Sequence, residues 1–241
     1  MRRRTIAAIG VALAVAVGAA AGCGGDSKTS EPTTQATTAA ATTPAPVTTP
    51  GTTPTTGGAS TAPAAKLTKA DLPPENAVAG VHPGTPRTID SASEFVDVLY
   101  QTGDPAKPAA VTRLENAGYT TAILRDQAGT DPETGVALLR SYAIQLGSPE
   151  AAKKEVGDAV AEVKSASAAK TSDIDTGIPD AQGLRVDIDQ GAVQGAVVFI
   201  TFPVGSRVYG IQAVATSGGN LNQDELLKVA RDLATKAGAT S

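Results

Sequence analysis

The sequence predicts an α+β domain: an antiparallel sheet of about five strands with helices packed on one face, a two-layer sandwich in the order α-α-β-β-α-β-β-β-α. Three observations carry that expectation. Four segments repeat apolar residues at helical spacing and end on capping residues. Five runs rich in Val, Ile, Leu and Tyr read as strands, and short Gly- or Pro-containing breaks join consecutive ones as antiparallel neighbours do. The ~170 residues from Leu67 onward are enough to bury an adequate core without a disulfide.

The elements follow in order. Residues 67–90 carry four prolines and read as an extended lead-in to a single globular domain over 91–241. In "DSASEFVDVLYQTG", Ser91 and Glu94 have capping-box spacing, Phe95, Val98 and Leu99 share a face, and Gly103 stops the helix. In "DPAKPAAVTRLENAG", Pro108 places the helix start near itself, Ala110, Val111 and Leu114 cluster, and Gly118 caps the end. Residues 119–127 and 135–146 are expected strands joined by "AGTDPET". Ser148 and Pro149 open a third helix with Ala152, Val156, Ala159, Val160 and Val163 as its apolar stripe. Three strands are expected at 183–189, 195–202 and 207–216. A last helix runs from an Asn222–Glu225 cap pair to Gly238, with Leu226, Val229, Ala230, Leu233 and Ala237 inward. Strand–strand–helix occurs twice, at 119–168 and 183–238, an echo that suggests duplication without residue-level repetition.

The N-terminal part has a different character. Arg2, Arg3 and Arg4 precede an uncharged apolar run over 6–21, with small residues at its end. That pattern is a secretory signal peptide over 1–22, and the run is short for a spanning helix of ~20 residues. Cys23, the single cysteine, follows at once. Residues 23–66 are then dominated by Thr, Ala, Pro, Gly and Ser, with nothing apolar larger than Val47. Such a tract does not bury enough surface to offset its ordering entropy, so a disordered tether is expected. Its fourteen threonines between Thr29 and Thr61 also suit O-glycosylation.

The stretch "AAGC" (Ala20 to Cys23) resembles the lipobox of bacterial lipoproteins. The resemblance implies a diacylglycerol on the Cys23 thiol, cleavage just before it, and an anchored mature N-terminus; Ala20 departs from the usual Leu. Lipobox, tether and small domain together are similar to the small cell-envelope lipoproteins of high-GC Gram-positive bacteria. The segment "RSYAIQLGSPEAAKKEV" (140–156) is similar to one found in such proteins. This resemblance implies a place at the outer face of the cell membrane and brings no activity with it. Secretion after cleavage at Ala21 is the alternative.

Charge narrows the partners. Formal net charge is −4; without the three N-terminal arginines, 17 basic residues stand against 24 acidic, a net of −7. An acidic surface repels phosphate backbones, so no nucleic-acid partner is expected. Chemistry is sparse. His82 is the only histidine, in a Pro-rich segment, and no G-x-S-x-G elbow occurs. One His and one Cys exclude the usual zinc sites. Acid-rich turns hold Asp126, Asp131 and Glu133, and Asp173, Asp175 and Asp180, but without EF-hand spacing. Asp187 and Asp189 alternate with Leu184, Val186 and Ile188, as on a half-solvated strand. No phosphate-binding glycine loop is present.

No catalytic residue, metal ligand or cofactor is therefore expected. Cys23 is the one assigned site, and the ligand-binding residues stay unassigned. The reading is a non-catalytic binding module for an envelope component, a small apolar ligand or a protein partner. The apolar run "GAVVFITF" is a candidate wall for a cavity beneath the helices. A carboxylate-dependent envelope hydrolase and a structural or adhesive surface protein are the alternatives.

Overall fold

The structure is a computed structural model; it describes residues 66–241 except 101, 132–134, 167–168, 191–192, 217–220 and 240–241. Cys23, the signal peptide and all of the tether before Lys66 lie outside the described residues. Seven strands form one antiparallel sheet: β1 (Arg87–Ile89), β2 (Thr121–Ala128), β3 (Leu138–Gln145), β4 (Lys170–Ile174), β5 (Gln182–Gln190), β6 (Val193–Val204) and β7 (Arg207–Thr216). Four helices accompany them: α1 (Ala92–Leu99), α2 (Lys107–Asn116), α3 (Pro149–Ala166) and α4 (Gln223–Ala237). The strand order is β1-β2-β3-β7-β6-β5-β4. Two meanders thus meet at the β3–β7 pair, and α3 carries the chain from the centre to the far edge.

The expected five-strand, one-face sandwich is corrected in three respects. The sheet has seven strands, and the order is β-α-α-β-β-α-β-β-β-β-α. The two unforeseen strands, β1 and β4, are the sheet edges. An edge strand pairs on one side only and buries little, so it carries no apolar alternation to read. In β1 only Ile89 is buried, and in β4, "KTSDI", only Ile174 is.

The third correction concerns the layers. Helices cover both faces. Odd-numbered residues of β7, Tyr209, Ile211, Ala213 and Ala215, pack with Leu226, Val229, Ala230 and Leu233 of α4. The even-numbered Val208 and Val214 join the opposite face, the first with α1, α2 and the start of α3, the second with Val160 of α3. The near-continuous apolar runs "AVVFITF" and "VYGIQAVA" have this cause, since a strand covered on both faces loses its polar alternation. The echo of strand–strand–helix is not a two-fold repeat. An axis relating the antiparallel β3 and β7 would keep their helices on one face, and α3 and α4 lie on opposite ones.

Local signals place the helix starts. Ser91 accepts from the Glu94 amide, Ser148 from the Ala151 amide, and Asn222 from the Glu225 amide. Gly238 ends α4 in the left-handed region. α1 stops at Leu99, a turn before Gly103. The lead-in belongs to the α4 face: Leu67, Leu72 and Val78 are buried in its core. Arg125 and Gln127, buried on β2, donate to the carbonyls of Pro73, Pro74, Glu75 and His82 and so pin that segment down. Asp71 accepts from Arg207 at 2.7 Å and from the Tyr209 hydroxyl at 3.3 Å.

Candidate functional site

The buried apolar residues on the α1–α3 face fall into two clusters. Between Val208 and Val214, β7 turns Gly210 and Gln212 toward that face, since alternate residues share a side. Gly210 is the cross-strand partner of Tyr142 on β3 and of Thr201 on β6. A Cβ built on Gly210 would lie 2.1 Å from Tyr142 Cζ. The tyrosine ring therefore lies over bare backbone, and its hydroxyl reaches the Thr201 side chain. Burial, reinforced by the Glu155 charge, pushes the Tyr142 phenol up to about 12.

Beside that ring is a cavity of about 150 Å³. Its floor is Tyr142, Gln212, Thr201, Phe199 and Leu184, and its roof is Ala159, Val160 and Val163 of α3. Leu99, Tyr100, Asp104 and Glu162 frame the mouth. The pleat explains the apolar half: Phe199 is the cross-strand partner of both Gln212 and Leu184. A water occupies ~30 Å³ of liquid, so the space equals about five waters, and an apolar space of this order accommodates a benzene-sized group. Ligand pockets for whole drug-sized molecules are ~300–1,000 Å³. The cavity is therefore sized for one apolar segment of a larger ligand.

A hydrogen-bonded ion-pair chain closes one side of the mouth. Tyr100 at the end of α1 donates to Glu162 Oε1 at 2.8 Å. Arg113 of α2 donates from Nη1 to Glu162 Oε2. The same guanidinium donates from Nε and Nη2 to Glu155, at 2.9 and 3.2 Å. Glu155 and Glu162 stand two turns apart on α3, so one arginine ties α2 to the helix above the cavity. Burial, then the Glu162 bond and charge, push the Tyr100 phenol well above its ordinary value. Burial pulls Arg113 down, but Glu155 and Glu162 outweigh it and hold the guanidinium above its usual value. Glu155 is raised by burial, with Arg113 opposing; its side chain is 7% exposed against 22% for Arg113, so the carboxylate feels the loss of water more. A wider, open groove of about 760 Å³ lies on the outer side of this arginine, between Pro108, Thr112 and Ala151.

The residues singled out in the sequence lie elsewhere. His82 is exposed, its amide bonded to the Ala128 carbonyl at 2.8 Å. Asp126 forms a two-pronged pair with Arg140, which also donates to the Val98 carbonyl at the end of α1. Asp173 pairs with Lys164, Asp180 with Lys153 and Asp187 with Arg185. Asp175 accepts from the Gly177 amide, and Asp189 from Gln194. Asp131 lines a pocket with Gly80 and with Asn222 at the start of α4, and Glu133 lies outside the described residues. Among the described residues no three His, Cys, Asp or Glu side chains gather as metal ligands do. No described helix is long and apolar enough to cross a membrane.

Of the run "GAVVFITF", Phe199, Ile200 and Thr201 do line the cavity. Sequence reasoning missed Tyr100, Tyr142, Glu162, Gly210 and Gln212. One available signal was "YGIQ": a glycine and an amide two residues apart on one face of an otherwise apolar central strand.

No protein-family model matches the chain, and no curated protein matches it. Among solved structures, the extracellular domain of PknH from Mycobacterium tuberculosis is similar at a TM-score of 0.44 and 14% identity, over 67% of this chain and 86% of that one.

Proposed function

We propose that this chain is an extracytoplasmic, non-catalytic binding module that takes the apolar segment of a small molecule into the cavity between α1, α3 and the sheet. The observation that carries the reading is the cavity itself. It is lined from both apolar clusters of one sheet face, its walls are mostly apolar, and hydroxyl, amide and carboxylate groups converge on it. The pair Glu155 and Glu162 gives the hydrolase alternative little support, because one guanidinium binds both carboxylates. The signal peptide and the lipobox-like "AAGC" support a lipid on Cys23 and a position at the outer face of the membrane.

Native mass spectrometry of the mature chain from its own host tests the binding. We expect a small molecule retained by the wild type and lost in Ala159→Phe, which fills the roof. Retention of the same molecule by the filled variant would exclude this cavity as its place. The anchor is tested separately: Cys23→Ala should move the protein to the soluble fraction with its fold intact. A variant still in the membrane would make the uncleaved apolar segment the anchor.

A further inference from the structure

Taking the cavity as the ligand site, we infer that the polar end of its ligand is an amine or a hydroxyl group and not an acid. The argument is the charge balance at the mouth. Glu162 and Asp104 stand there, and among the described residues Arg113, Lys107 and Arg140, the cations of α2 and β3 next to the lining, are already matched. Arg113 spends its Nε, Nη1 and Nη2 on two carboxylates, Glu155 and Glu162. Arg140 is paired with Asp126 and with the Val98 carbonyl. Lys107 is paired with Asp97 at 2.7 Å. Asp104 accepts from the Ala106 amide through one oxygen, and its carboxylate stands beside the opening. One guanidinium between two carboxylates, plus Asp104, leaves the rim negative. The polar groups of the floor, Gln212 and Thr201, are neutral.

A carboxylate or phosphate on the ligand would give up water next to this rim and find these three cations already matched. An ammonium would gain from the same field, and a hydroxyl has Tyr100 and Glu162 at the mouth and Gln212 on the floor as partners. The cavity volume of about 150 Å³ limits the buried part to roughly a phenyl ring or a six-carbon chain.

The test uses the full chain and three probes with the same tail: hexylamine, hexanol and hexanoate at neutral pH, followed by NMR shifts at Thr201 and Gln212. We expect hexylamine to bind at least about tenfold tighter than hexanoate, with hexanol between. Glu162→Gln should narrow that span, and Ala159→Phe should abolish all three. Hexanoate binding as tightly as hexylamine would overturn the inference while leaving the cavity a ligand site. Hexylamine binding that survives in Ala159→Phe would also overturn it, as attraction to the surface alone. If none of the three shifts these residues, the ligand-binding reading itself fails.

Discussion

Tyr142 lies across Gly210 so closely that a Cβ on the glycine would stand 2.1 Å from the tyrosine Cζ and 2.4 Å from its hydroxyl oxygen. Glycine inside a strand is a cost in conformational entropy, and here the cost has a reason. The ring fills the space that the missing side chain leaves, which lets its hydroxyl reach Thr201 on the strand beyond. The place of Tyr142 in the cavity floor is thus set by a residue pair, not by one position alone.

Gly210→Ala should therefore act through Tyr142. The added methyl forces the ring off the sheet and into the cavity, and overpacking of this kind costs about 1–3 kcal/mol. In a Tyr142→Ala background the same change should be neutral or slightly stabilising, because alanine loses less backbone freedom than glycine. Urea denaturation of the four members of the cycle measures the coupling, expected at about 1–3 kcal/mol. Additive effects would mean that the ring does not rest on the glycine.

The lead-in supplies the second prediction. Leu72 is 1% exposed in the α4-side core, so Leu72→Ala should cost about 2–4 kcal/mol in urea denaturation. A chain beginning at Ser91 should fail to fold. It would lack β1 and the buried leucines, and it would strip Arg125 and Gln127 of the carbonyls at Pro73, Glu75 and His82 that satisfy them inside the protein. A cooperative unfolding transition from that shortened chain would show that residues 67–90 are dispensable.

How far the fold was legible depended on what each segment buries. α3, α4 and β5 to β7 were readable because each carries a long apolar pattern, and β7 was bounded at Arg207 and Thr216 as the structure has it. Ser91, Ser148 and Asn222 marked helix starts because a side-chain oxygen must meet an otherwise unpaired amide there. β1 and β4 were not readable, since strands at an edge have no second partner and keep polar residues. The lead-in was opaque for another reason: its hold on the sheet comes from Arg125 and Gln127, polar side chains bonded to carbonyls about fifty residues away in sequence. The site was the least legible part. It assembles Tyr100, Glu162, Tyr142 and Gln212 from α1, α3, β3 and β7, and only the register of β3 against β7 brings Tyr142 over Gly210.

The tyrosines carry the last prediction. The chain has four, Tyr100, Tyr119, Tyr142 and Tyr209, and burial is the largest cause raising each of them in the folded protein. Tyr142 moves from 10.0 to about 12. Between these values the unfolded chain has released this proton and the folded chain still holds it, so the unfolded state binds fewer protons and stability falls as pH rises. The contribution is complete below pH ~10 and is lost by the time the folded phenol ionises. Phenolate absorbance of the native chain should therefore stay low through pH 10 and rise well above it, whereas the urea-unfolded chain should titrate near 10. Lysines also lose charge in this range, so the decisive comparison is Tyr142→Phe against the wild type. Between pH 10 and 12 the variant should lose less of its stability than the wild type does. Equal losses would mean that water reaches the Tyr142 phenol freely, and the floor of the cavity would then be open.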